Sequence, residues 1–196
     1  MQIDEKRRRF EREVKPLPDL HLTQDALMTI AALDAILSRP LGSALLFGRC
    51  GSLRRACLEL TVYSQRATLR TPACVAGVGL RHFRAFLRDV MYAAAVEGTQ
   101  IVLLVEEHHL AADGVLASLN SLLAGHEVPG LFSPEDLDKA LAAFKERAVE
   151  AIPAADGRAD LAAAFTQRVR QVLHRLATNP SALSGVEFLH NWALLL

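Results

Sequence analysis

The stretch Gly48-Arg49-Cys50-Gly51-Ser52-Leu53-Arg54-Arg55 follows a short apolar run, residues 44–47, and precedes a segment with helical character. A strand that enters a glycine-bearing turn and leaves as a helix aims backbone N–H groups and a helix N-terminus at one point, which suits an anion such as phosphate. The pattern that does this best is G-x-x-x-x-G-K-[ST]. Gly48 supplies the first glycine, but Leu53 stands at the second and Arg54 at the lysine. The hydroxyl position holds Arg55 by strict count, or Ala56 if one residue is inserted. Leucine resists the left-handed backbone that glycine allows, at a cost of about 1–2 kcal/mol. Arginine keeps the charge but replaces a compact ammonium by a wide planar fork. Without a Ser/Thr hydroxyl, magnesium loses one of its few protein ligands.

A second group of chemistry-bearing residues ends the run Ile101-Val102-Leu103-Leu104-Val105 in Glu106-Glu107. An acid leaving a buried strand holds magnesium in nucleotide-hydrolysing folds, and a following Glu polarises the attacking water. Glu106 is therefore the candidate metal-side acid and Glu107 the candidate catalytic one. The plain alternative is a pair of acids emerging from a core strand into solvent. His108 and His109 adjoin, but neighbouring side chains are expected to diverge on helix or strand, so no metal pair is expected there. Cys50, Cys57 and Cys74 are too few and too widely spaced for a zinc site or a disulfide framework, and they fit a reducing compartment.

The elements that must position these residues can be read from periodicity. Residues 4–15 are almost wholly charged, with Phe10 and Val14 four apart, and predict a short solvated helix that rests on a larger body. The run Lys6-Arg7-Arg8-Arg9 is interleaved with Asp4, Glu5, Glu11 and Glu13, which favours a solvated face over a nucleic-acid patch. Pro16 and Pro18 then break the helix. From Thr23, a candidate N-cap, Leu27, Ile30, Leu33 and Leu37 form a helical stripe ended by Pro40 and Gly42.

Residues 44–47 predict a buried strand, 52–63 a helix, 67–75 a weak strand broken by Pro72, and 80–96 a helix with Phe83, Phe86, Leu87, Val90 and Met91 on one side. Residues 100–105 are the best strand, apolar on both alternating faces, as in a parallel sheet covered on both sides. Leu116, Leu119, Leu122 and Leu123 mark a further helix. Another starts at Ser133-Pro134-Glu135-Asp136, with Ser as cap and Pro first. A last helix is expected over residues 160–176. Alternating helices and strands define an α/β layered domain. The chain divides into a charged arm and extended lead-in (1–22), an α/β core (23–150) and a helical, divergent or truncated C-terminal part (151–196).

Composition agrees with a folded domain. The chain has 196 residues, enough for a real core, and 51% of them are hydrophobic against 22% charged, which argues against disorder. Lys+Arg and Asp+Glu both number 22, so no net charge draws the chain to nucleic acid or an anionic membrane. No apolar run approaches the ~20 residues of a spanning helix. The charged opening lacks the apolar stretch of a signal peptide, so export is not expected.

The sequence resembles the fourth AAA+ module of dynein heavy chains, in particular those of intraflagellar transport. The matching words are Phe10-Glu11-Arg12-Glu13-Val14, Ile36-Leu37-Ser38-Arg39-Pro40-Leu41-Gly42-Ser43, Leu46-Phe47-Gly48-Arg49 and the 51–55 loop. They continue in Phe83-Arg84-Ala85-Phe86-Leu87-Arg88, Val102-Leu103-Leu104-Val105-Glu106-Glu107 and, most specifically, Leu119-Asn120-Ser121-Leu122-Leu123-Ala124-Gly125-His126-Glu127-Val128-Pro129-Gly130-Leu131-Phe132. The resemblance covers residues 10–140.

It implies a P-loop NTPase fold of AAA+ type, a parallel sheet flanked by helices, with a partly irregular helical C-terminal part. It also implies ATP or ADP with Mg2+ as cofactor, bound by Gly48, Arg49, Cys50, Gly51, Ser52, Leu53, Arg54 and Arg55, with Glu106 on the metal and Glu107 on the water. The implied partners are neighbouring AAA+ modules of the ring and, through the full motor, microtubules and the intermediate, light intermediate and light chains. Cytoplasm, cytoskeleton and cilium are the implied locations. Leu53 and Ala56 depart from the family loop. After Val169 the family's apolar sensor strand is expected, whereas His174-Arg175-Leu176-Ala177-Thr178-Asn179-Pro180 reads as though a segment were missing.

AAA+ hydrolysis sites are completed between modules, so this chain alone is expected to be a poor ATPase. Two further readings stand beside a nucleotide-binding ring module: a nucleotide-free structural module, and an independent small NTPase or kinase. The missing Lys-Ser/Thr pair counts against the last.

Overall fold

In the computed structural model the described residues are 2–17, 20–39, 42–46, 53–73, 79–110, 113–125, 128–147, 157–178 and 193–195. Gly48, Arg49, Cys50, Gly51 and Ser52 lie outside them, as do Cys74, Asn179 and the segment 188–192.

The continuous apolar segment becomes strand β3 (Ile101–Glu106), and its alternation divides the core in two. Ile101, Leu103 and Val105 belong to one hydrophobic cluster, while Val102 and Leu104 belong to the other. Strand β1 (Ser43–Leu46) divides in the same way, with Leu45 facing the first cluster and Ala44 and Leu46 the second. Burial on both faces is what a parallel sheet between helical layers requires. Among the described residues five strands, including β2 (Thr68–Arg70), β4 (Leu173–Thr178) and β5 (Ala193–Leu195), lie in the order β2-β3-β4-β1-β5. Every pairing is parallel.

The second cluster is roofed by α1 (Gln2–Glu13), α2 (Gln24–Leu37) and α3 (Arg54–Ser64). Thr23 caps α2, its hydroxyl accepting from Ala26 N at 3.3 Å. The buried stripe of α2 is Ala26, Ile30, Leu33 and Leu37; Leu27 instead faces outward, one position off the expected line. The arm α1 rests on α3 through Phe10, which meets the Tyr63 ring edge-on at 5.2 Å. Val14, its expected companion, is exposed. On the outer side of α1, Arg7 and Arg8 pair with Asp4, and Arg7 also with Glu11. The three arginines of the basic run, Arg9 pairing with Glu13, are thus matched within their own helix by pairs worth a few tenths of a kcal/mol each.

The first cluster is covered by α4 (Leu80–Tyr92), α5 (Val115–Gly125), α6 (Pro134–Arg147) and α7 (Arg158–Val172). Helix α4 widens into a π-helical turn, Ala93–Glu97, whose buried alanines let α6 and α7 approach closely. Ser133 caps α6 as expected, accepting from Asp136 N at 3.1 Å.

Two expectations for the C-terminal part are corrected. The last helix ends at Val172, not Leu176, because Leu173 turns to an extended backbone. The strand that reads as missing is present as β4, which inserts between β3 and β1 at the middle of the sheet. Among the described residues of 151–196, the helix α7 is followed by the strands β4 and β5. Among the described residues no helix is long and apolar enough to cross a membrane.

Candidate functional site

All the strands run the same way, so their C-terminal ends share one edge of the sheet. The pairing register aligns Leu46 of β1, Thr178 of β4 and Glu106 of β3 in a single row at that edge. Ligands of open α/β sheets bind outside the carboxyl ends of the strands, where the strand order switches. Strand β1 sits at such a switch: the chain leaves it for β2 at the far edge, and β4 and β5 later return to either side of it.

Leu53 stands at the N-cap of α3 with φ 58°, the left-handed region. The backbone retains the conformation that glycine would favour at this loop position, although the residue is leucine. Arg54 is the first residue of α3, and Arg55 follows it. The Arg55 guanidinium reaches back to β3, where Nη1 donates to both Glu106 carboxylate oxygens at 3.0 and 3.1 Å. Two candidate site residues 51 positions apart are thereby brought into contact. Glu106 is the last residue of β3, and Glu107 opens a single 3-10 turn, Glu107–His109.

Two partners of this pair were not foreseen from sequence. Arg55 Nε donates to Glu59, one turn along α3, at 3.2 Å. Glu59 is 8% exposed and receives Lys15 Nζ at 2.6 Å on its other oxygen. Lys15, Glu59, Arg55 and Glu106 therefore form an alternating chain of charge from the end of the arm to the end of β3. The i,i+4 spacing of Arg55 and Glu59 was a legible signal. Lys15 carried none, because only the docking of α1 on α3 brings it there. Partial burial tends to lower the Arg55 pKa, but the hydrogen bond to Glu59 and the charges of Glu106 and Glu59 outweigh it and raise the value. The guanidinium stays charged throughout the accessible pH range.

The adjacent histidines do not diverge. In the 3-10 turn their rings lie 3.9 Å apart at 48°, which corrects the expectation drawn from helix and strand geometry. Glu106, His108 and His109 offer ligand atoms within 4.8 Å of one another. Two of those donors are already engaged, however: Glu106 by Arg55, and His109 Nδ1 by the Glu106 backbone N–H at 3.0 Å. Accepting at Nδ1 leaves the proton on Nε2, which is buried without a hydrogen bond of normal geometry and has a weak attraction to the Pro72 carbonyl. Magnesium fares no better. Both Glu106 oxygens carry the guanidinium, and Arg55 and Ala56 offer no hydroxyl, so among the described residues the site does not fit that ion.

Burial, then the neighbouring His108, lower the His109 pKa; Glu106 opposes them in part. An unfolded histidine titrates near 6.5 and so binds a proton more readily than folded His109. The neutral ring then stabilises the fold above about pH 6.5, and this contribution is lost as pH falls through the lower folded value. Melting temperature followed from pH 8 to 5 should decline less steeply in His109→Gln than in the parent chain. Parallel curves would show that His109 is not held neutral.

A parallel sheet covered by helices on both faces, with the start of α3 in contact with an acid at the end of the inner strand β3, is an α/β domain consistent with a P-loop fold. The chain matches, over residues 19–189, the family described as the P-loop containing dynein motor region D4, and it belongs to that family. It is 38% identical to cytoplasmic dynein 2 heavy chain 1 of Tripneustes gratilla over 76% of its length. Identity is 34% with the protein of that name from Chlamydomonas reinhardtii over 98% of the chain, and 35% with that of Homo sapiens over 85%. The chain spans only 3% to 5% of the length of these relatives.

Proposed function

We propose that this chain acts as the fourth AAA+ module of a dynein heavy chain serving intraflagellar transport, and that it binds an adenine nucleotide while turning it over poorly. Its place is then in the motor ring, between neighbouring modules, with microtubules and the other dynein chains reached through the whole motor in the cytoplasm and cilium. The observation that supports this best is the contact between Arg55, at the loop–helix junction, and Glu106, at the end of β3. It joins the start of α3 to the end of β3 at one edge of the sheet, as a nucleotide cleft there would need. Leu53 supports it further, because it holds the glycine conformation without being glycine. Nucleotide bound there would favour whichever ring conformation closes the cleft, shifting populations without fast hydrolysis.

A fluorescent ATP analogue titrated into the chain should bind saturably in the micromolar range, and Gly51→Asp should abolish the signal. Leu53→Gly should tighten binding, because removing the side chain lets the backbone approach a phosphate more closely than leucine allows. No binding at millimolar nucleotide would overturn this reading. The alternative, a nucleotide-free structural module, would then stand, and it draws support from the fact that Glu106 is already neutralised by a side chain.

A further inference from the structure

We propose that Arg55 is a built-in replacement for the divalent cation: its guanidinium occupies the metal's place on Glu106, so that nucleotide binds this site without magnesium. The inference rests on the nucleotide-binding reading above. By strict count from Gly48, Arg55 stands where the general pattern puts the Ser/Thr hydroxyl, the loop's own ligand to magnesium; with one residue inserted, as in the family loop, that place falls to its neighbour Ala56. The strand supplies the second ligand of that ion, here Glu106. In this chain the two positions are joined directly, through Nη1 and both carboxylate oxygens.

The side chain is held in that place from two directions. Nε is anchored on Glu59, and Glu59 is kept from turning away by Lys15. A divalent ion approaching Glu106 would have to displace a guanidinium tied to two carboxylates and would meet its positive charge at close range. The Nη2 amino group makes no hydrogen bond among the described residues and remains available to a phosphate oxygen. Planar, permanently charged guanidinium is well suited to carboxylate and phosphate together. The departure from the loop pattern at position 55 is thus a substitution of one cation for another. Lys15 extends the arrangement to the arm, since its ion pair with Glu59 stiffens the residue that aims Arg55.

Binding of a fluorescent ATP analogue should be compared in EDTA and in excess magnesium, for the parent chain and for Arg55→Thr. The parent is expected to show affinities within about twofold of each other, because the cation is covalently present. Arg55→Thr restores a hydroxyl and frees Glu106, so it should bind about tenfold more tightly with magnesium than without. A parent chain whose affinity rises tenfold or more on adding magnesium overturns the proposal while leaving nucleotide binding intact. No binding under either condition overturns the nucleotide reading itself, and this proposal with it. Should Arg55→Thr fail to fold by circular dichroism, the comparison in the parent chain decides alone.

Discussion

Leu104→Ala is expected to lower the unfolding free energy by about 3 kcal/mol, within the 2–5 kcal/mol typical of buried leucine truncation. Leu104 is fully buried on the face of β3 that meets α2 and α3. Its strand is hydrogen-bonded on both sides, to β2 and to β4, so the backbone cannot collapse into the space left behind. The helices above it are fixed by their own contacts with Leu33, Leu37 and Leu58, each 0–1% exposed. A cavity that cannot close makes the loss larger than the transfer of the deleted methyl groups alone. Chemical denaturation of the two chains measures the difference. Leu27→Ala serves as control, because Leu27 is 39% exposed and its truncation should cost under about 0.5 kcal/mol. Equal losses at the two sites would mean that the α2–α3 layer does not seal the sheet.

Phe165→Ala should be comparably destabilising, at about 3–5 kcal/mol. Phe165 lies on the inner face of α7 and meets Phe144 of α6 edge-on at 5.6 Å and Phe132 at 6.1 Å. Such pairs add about 0.5–1.5 kcal/mol to the area they bury. The position has a second consequence, because α7 runs directly into β4. Loosening α7 should therefore be felt at the centre of the sheet. Amide exchange in β4 is expected to accelerate in Phe165→Ala, while Gln167→Ala on the exposed side of the same helix leaves it unchanged. A loss below about 1 kcal/mol with β4 still protected would show that the C-terminal segment packs independently of this aromatic cluster.

These two sites differ in how readily they could be read from the chain. Leu104 sits in a run of apolar residues whose alternation already implies two covered faces, and the two clusters divide along that alternation. Strand β4 is harder. Its residues, Leu173-His174-Arg175-Leu176-Ala177-Thr178, continue a helical pattern without a break, so local periodicity carried α7 four residues too far. Sheet pairing decides otherwise, because a strand placed between β1 and β3 satisfies backbone groups on both of its edges. The close, tilted pair of histidines departs from the sequence expectation for a related reason. The divergence of neighbours holds for helices and strands, and a 3-10 turn after β3 obeys neither.

Sequence alone determined what depends on a few neighbouring residues: the caps at Thr23 and Ser133, the doubly buried β3, the acid at its end, and the loop words that mark the family. Tertiary structure alone decided which distant groups meet. The pairing of Arg55 with Glu106, the anchoring of Glu59 by Lys15 and the insertion of β4 all join residues tens of positions apart. The physical reason is range. Capping and periodicity act within a turn or two of chain, whereas a charge pair forms only where packing has carried both partners to the same edge of the sheet.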